Sequence, residues 1–230
     1  MLNDILSGLF SSDIPGFTFS MLIPLLFLSA MIKNQRSRHI ILYFCWGLFA
    51  VVFAYILNEW FSGDTSLSAG LTSDIAPIVE ETLKALPLLL FFRRRDGDDP
   101  NLIIYCAMAS GIGFSVQETL YYFTSFTADP GLFSLFPLLV RTATTCLMHG
   151  MSTAVIGFGI VITSRYKGIR IPMILGLLSL AATIHSLYNI LIGTRLAIIA
   201  LLMPAVLYFT GLALLSGDDE EPEGGPENES

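Results

Sequence analysis

Charged residues are scarce: they make up 13% of the 230 residues, while hydrophobic residues make up 53%. Ordinary soluble domains carry about 25% charged residues. That shortage excludes a disordered chain, a collagen-like rod and a typical soluble enzyme. It points to a chain embedded in lipid. No Lys or Arg precedes Lys33, so residues 1–15 lack the basic start of a secretory signal. No basic cluster suggests nucleic acid. The three cysteines, Cys45, Cys106 and Cys146, form no CxxC pair and read as small core residues. Neither HExxH nor GxSxG occurs, which leaves little sequence signal for a zinc hydrolase and none for a serine hydrolase. There is no internal repeat.

What is present is a series of apolar runs at about 16–32, 39–60, 75–92, 101–124, 136–163, 172–192 and 196–215. A helix crosses the hydrocarbon core in about 20 residues, so these predict seven transmembrane helices in an all-α bundle. Lys33, Arg36 and Arg38 follow the first run, Arg93, Arg94 and Arg95 the third, and Arg165, Lys167 and Arg170 the fifth. The alternate loops 61–74 and 125–135 have no basic residue. The positive-inside rule then predicts an outside N-terminus and a cytoplasmic C-terminus. Residues 1–217 read as one membrane domain of a multi-pass cell-membrane protein. Residues 218–230 carry seven acids and read as a disordered cytoplasmic tail.

Some ionisable residues lie inside the runs. Glu59, Arg141 and Arg195 fall near outer ends, where they can snorkel to the interface. Glu80, Glu81, Lys84, Glu118, His149 and His185 lie deeper. A charge at the helix centre costs roughly 2.5–3.5 kcal/mol, so such groups must pair or perform work. The predicted directions place Glu80 and Glu81, Glu118, His149 and His185 within roughly 8–18 Å of the outer face at 1.5 Å per residue. Four helices thus contribute to one polar layer. Glu80 and Lys84 are spaced i, i+4, as for a helical ion pair that keeps a buried carboxylate charged. His185 and Asn189 share the same spacing. Ala107 and Gly111, with Ala109 and Gly113, are small-xxx-small pairs that admit a close neighbouring helix. Carboxylates and imidazoles converging in one layer suit hydrolysis within a membrane.

These motifs carry a resemblance. VEETLKALP holds an EExxK pattern (Glu80, Glu81, Lys84), and GIGFSVQETLYYF an FxxxE pattern (Phe114, Glu118). A single histidine, His149, and an HxxxN pattern (His185, Asn189) follow in order. Over about residues 75–192 the chain resembles the PrsW family of intramembrane proteases, which shares a superfamily with the CAAX prenyl proteases and bacteriocin-processing membrane proteases. Thr119 stands where the family has Asn after the FxxxE glutamate. The resemblance implies hydrolysis of a membrane-anchored protein, an anti-sigma factor among the family's substrates. By similarity Glu80 acts as general base on water, with Glu81 the alternative and Glu118 positioning the water. Lys84 tunes the carboxylates, His185 and Asn189 donate to the oxyanion, and His149 orients water or protonates the leaving amine. No cofactor is expected in this reading. In the alternative one, Zn²⁺ is held by His149, His185 and Glu118. The expected partners are a single-span or membrane-anchored substrate and the bilayer.

Two other classes compete. A non-catalytic scaffold of the superfamily has no need of three buried carboxylates. A proton-coupled transporter needs polar groups through both leaflets, yet the stretches Leu86–Phe92, Leu102–Met108 and Ile174–Leu180 are nearly apolar.

Overall fold

The computed structural model describes residues 2–12, 14–62, 69–93, 99–126, 132–163 and 166–216. Arg94, Arg95, Arg165 and the acidic tail 218–230 lie outside them. Among the described residues there is no strand. Eight α-helices follow in order: α1 (Leu2–Ser11), α2 (Ile14–Met31), α3 (Gln35–Ser62), α4 (Ala69–Ala85), α5 (Pro100–Phe126), α6 (Leu132–Thr163), α7 (Arg170–Ile192) and α8 (Ala197–Ser216). The protein is an all-α membrane helix bundle. Six of the seven apolar runs each become one α-helix, the run at 75–92 is divided, and α1 is an additional short helix. By length and composition α2, α3, α7 and residues 139–163 of α6 are apolar enough to cross a membrane. The ionisable residues Glu80, Glu81 and Lys84 fall in α4, which is not among them.

The run at 75–92 is not one α-helix. α4 stops at Ala85 and continues as a 3-10 turn, Leu86–Arg93. Pro87 is the cause, because it has no N–H to return to the carbonyl of Leu83 four residues earlier. Trp46 of α3 supplies the missing donor, its Nε1–H meeting the Leu83 oxygen at 2.8 Å. Ser110 Oγ donates to the Lys84 carbonyl at 2.8 Å, and Tyr43 Oη to the Pro87 carbonyl at 2.9 Å. Side chains of α3 and α5 thus brace the break directly beneath Glu81 and Lys84. Trp46→Phe keeps an aromatic body but removes the donor. It is expected to lower stability by about 1–3 kcal/mol, the cost of an unmet backbone acceptor, as read by unfolding in mixed detergent. An unchanged unfolding midpoint would show that the 3-10 turn satisfies Leu83 by itself.

α5 is the central helix, and its small residues decide what it touches. A Cβ on Gly111 would fall on the backbone of α6 at His149, and one on Gly113 on the backbone of α3 at Phe44. The two offset small-residue pairs therefore serve two different helices. Gly47 completes the α3 contact, since a Cβ there would meet the Ser110 carbonyl. Gly157 of α6 sits against Ala107, with Ile103 beside it. α5 and α6 therefore run antiparallel in close contact, which buries Cys106, Ala107, Ile103, Ile156 and Ile160 in the main apolar core. Cys45 and Cys106 are buried free thiols, and Cys146 is a half-buried one.

The basic ends of the helices gather. Arg36, at the start of α3, pairs with Asp99 before α5 at 3.0 Å and lies over the Tyr105 ring. Thr163, where α6 ends, packs at that end too, because Gly157 lies beside Ile103. Glu118 is about 27 Å along α5 from Pro100, at 1.5 Å per residue. The polar residues therefore lie away from the basic end.

Candidate active site

The six ionisable residues of the predicted polar layer meet. α4 contributes Glu80, Glu81 and Lys84, α5 Glu118, α6 His149 and α7 His185. Glu81, Lys84, His149 and His185 are completely buried. Consecutive helical residues point about 100° apart, so Glu80 and Glu81 approach the cluster from different sides. Glu81 faces the bundle interior with Lys84, and Glu80 faces His185.

This turns the expected ion pair by one position. Lys84 Nζ pairs with Glu81 Oε1 at 2.7 Å, an i, i+3 contact, rather than with Glu80. The ammonium also lies 2.6 Å from His149 Nδ1 and 4.5 Å from the centre of the Phe114 ring. Lys has only donors, so His149 Nδ1 accepts. The ring proton then sits on Nε2, which donates to Glu118 Oε2 at 2.6 Å. Across the cluster, His185 Nδ1 lies 3.0 Å from Glu81 Oε1. The oxygen accepts, so a neutral His185 carries its proton on Nδ1 and its lone pair on Nε2. That lone pair faces Glu80 Oε2 at 3.7 Å. The two imidazoles stand edge to face, with centroids 4.6 Å apart.

Glu81 collects further donors. Ser152 Oγ lies 3.0 Å from its Oε1, and Thr153 Oγ1 3.4 Å from its Oε2. Neither residue belongs to the motifs read from the sequence. Their only signal was position: three and four residues after His149, hence on its face of α6. Glu80 is the opposite case. Its Oε2 is buried and has no hydrogen-bond partner.

Asn189 does not join the cluster. It lies one turn beyond His185, and its side chain is exposed. The HxxxN spacing puts both residues on one side of α7. The buried stripe of α7 runs through Ala181, His185 and Tyr188, whose hydroxyl meets Thr144 and Thr145 of α6, and Asn189 falls just off that stripe.

The PrsW family of intramembrane metalloproteases matches residues 35–215. This chain belongs to the PrsW family. No curated protein and no solved structure matches it. Family membership makes the protein an intramembrane protease. Its buried carboxylate and imidazole layer is therefore the candidate active site of a PrsW protease.

The family description names a metal, and the side chains allow a test. One oxygen of Glu80 and one ring nitrogen each of His149 and His185 lie within 4.8 Å of one another. This differs from the set His149, His185 and Glu118 expected for zinc, because Glu118 is engaged by His149 Nε2. Two His and one carboxylate are a familiar catalytic zinc set. The orphaned Glu80 Oε2 and the bare Nε2 of His185 suit it. Glu81 behind His185 is the carboxylate that commonly orients a metal-bound histidine. His149 is the constraint, because Lys84 and Glu118 engage both of its nitrogens. The donors fit in kind, and His149 would join them by giving up one of those two partners.

Proposed function

We propose that this PrsW protease is a multi-pass endopeptidase of the cell membrane that cuts a membrane-anchored protein in the outer half of the bilayer, with water activated at Glu80. The observation that carries this reading is the buried, unpartnered Oε2 of Glu80. Glu81 is engaged by Lys84, His185 and Ser152, and Glu118 by His149. Among the described residues, Glu80 Oε2 is the buried carboxylate oxygen with no hydrogen-bond partner, and so the one placed to receive a proton inside the cluster. Water held between Glu80 and His185 Nε2 loses a proton to Glu80 as its oxygen attacks the scissile carbonyl carbon. The positive charge of Lys84 offsets the negative charge that develops on the carbonyl oxygen. Glu80 then passes the proton to the amine nitrogen as the C–N bond breaks. His185 cannot donate to the oxyanion from Nε2 in this tautomer, so its support is as an acceptor that orients water.

A second reading rests on the Glu80, His149 and His185 group. Zn²⁺ held there would polarise the carbonyl and make bound water acidic. In that reading Glu80 would be a ligand to the ion and not the base that takes the proton, and it would be required in either case. The engaged nitrogens of His149 favour the reading without metal.

The outer-half position rests on seven crossings with the nine loop cations on the cytoplasmic side. A single-span protein is the fitting substrate, and an anti-sigma factor is the class that the family resemblance suggests. The test uses the purified chain in detergent with candidate single-span substrates and maps product ends by mass spectrometry. Cleavage within the outer leaflet or just beyond it is expected. Ends at the cytoplasmic boundary would overturn the orientation. A chelator arm decides the metal: treatment with strong chelator and transfer to metal-free buffer is expected to leave the rate within twofold. Loss of activity restored by Zn²⁺ would make His149 and His185 ligands.

A further inference from the structure

Ser152 is the donor to Glu81 that no motif includes, and its hydroxyl has a choice. Ser152 Oγ lies 3.0 Å from Glu81 Oε1 and 3.1 Å from the His149 carbonyl oxygen one turn earlier. A hydroxyl has one proton to give. A bond to a carboxylate is roughly twice as strong as a neutral one. The His149 carbonyl is also already served: Thr153 Oγ1 lies 2.9 Å from it and only 3.4 Å from Glu81 Oε2. Thr153 therefore takes the carbonyl, and Ser152, itself completely buried, is released to Glu81.

We propose that Ser152 is a positioning residue that sets the tautomer of His185 through Glu81. Its O–H fixes the Glu81 carboxylate, whose Oε1 then takes the Nδ1–H of His185. Lys84 still holds Glu81 Oε1 at 2.7 Å when Ser152 is lost, but the terminal torsion of a Glu is broad, so the carboxylate can turn about that contact and away from His185. Freed from Glu81, His185 can place its proton on Nε2 instead. That proton would face Glu80 Oε2, the buried carboxylate oxygen that has no hydrogen-bond partner, and occupy it. Ser152 thus keeps Glu80 available without touching it. The inference rests on Glu80 as the position that activates water.

The test compares S152A and S152T in the purified full chain, with kcat and KM measured separately and the His185 ring nitrogens observed by ¹⁵N NMR. In S152A, kcat is expected to fall about tenfold with KM within twofold, and the Nδ1–H signature of His185 is expected to be lost. S152T keeps the hydroxyl and is expected to restore at least half of the rate and the wild-type ¹⁵N pattern. An S152A rate within twofold with an unchanged tautomer would overturn the proposal, as would S152T being as impaired as S152A. If S152A does not insert, S152C takes its place with the same outcomes, since a thiol is a weak donor of similar size. The NMR arm needs no turnover. A wild-type chain that cuts nothing would therefore count against the functional reading, while the spectra still decide the role of Ser152.

Discussion

Glu80→Gln is expected to insert and fold as the wild type does and to lose at least 99% of its cleavage rate. The substitution preserves volume and removes only the ability to take up a proton. Oε2 of Glu80 has no hydrogen-bond partner to lose, and His185 Nε2, 3.7 Å away, accepts an amide N–H as readily as it faces an oxygen. Stability should therefore change little. A positioned general base contributes about 10²–10⁴-fold to rate, and a carboxylate ligand of a metal-bound water is no more dispensable. The measurement is product formation per folded enzyme, with folding checked by size-exclusion elution and unfolding midpoint. Cleavage within a fewfold of wild type would remove Glu80 from the chemistry and move its role to Glu118, the other carboxylate at the edge of the cluster.

Lys84→Met should act through the fold. Lys84 and Glu81 are both fully buried and 2.7 Å apart. Removing one partner of such a pair leaves an uncompensated charge in a low-dielectric interior, which typically costs about 3–5 kcal/mol. Ser152 and His185 remain as donors to Glu81, but neither carries a fixed positive charge. His149 Nδ1 would also lose its donor, so the variant should be inactive as well as unstable. The double variant Lys84→Met with Glu81→Leu separates the causes. Deleting both charges is often near neutral for stability, so the double variant should regain most of the lost stability without regaining activity. Steric unfolding titrations would read both. A Lys84→Met protein within about 1 kcal/mol of wild type would show that the pair is hydrated and not a buried charge couple.

The polar layer was legible because lipid makes charge expensive. Among long apolar runs, Glu80, Glu81, Lys84, Glu118, His149 and His185 stand out by type alone, and helix rise converts their positions to depth. The small residues of α5 were legible for a related reason: Gly111 and Gly113 leave room only for a backbone. The partner of Lys84 was not. Spacings of three and four both lie on one helical face, so the sequence admits Glu80 and Glu81 equally, and the choice falls to where α6 and α7 place their side chains. Asn189 shows the same limit: residues four apart on a helix are offset by about 40°, and the buried stripe of α7 follows His185 and Tyr188 instead. Ser152 and Thr153 carried no signal of charge, since hydroxyls are common in apolar helices and usually bond to their own backbone.

By itself, then, the sequence determined that this is an all-α membrane protein, which helices carry ionisable groups, and that those groups lie in one layer, because hydropathy, loop charge and helix rise are properties of each segment alone. The tertiary structure decided how the layer is wired. It turned Glu81 and not Glu80 toward Lys84, met the carbonyl orphaned by Pro87 with Trp46, and left a buried oxygen of Glu80 without a hydrogen-bond partner. Those outcomes depend on the rotation of each helix about its axis, which is set by packing against neighbours distant in the chain and is invisible in any one segment.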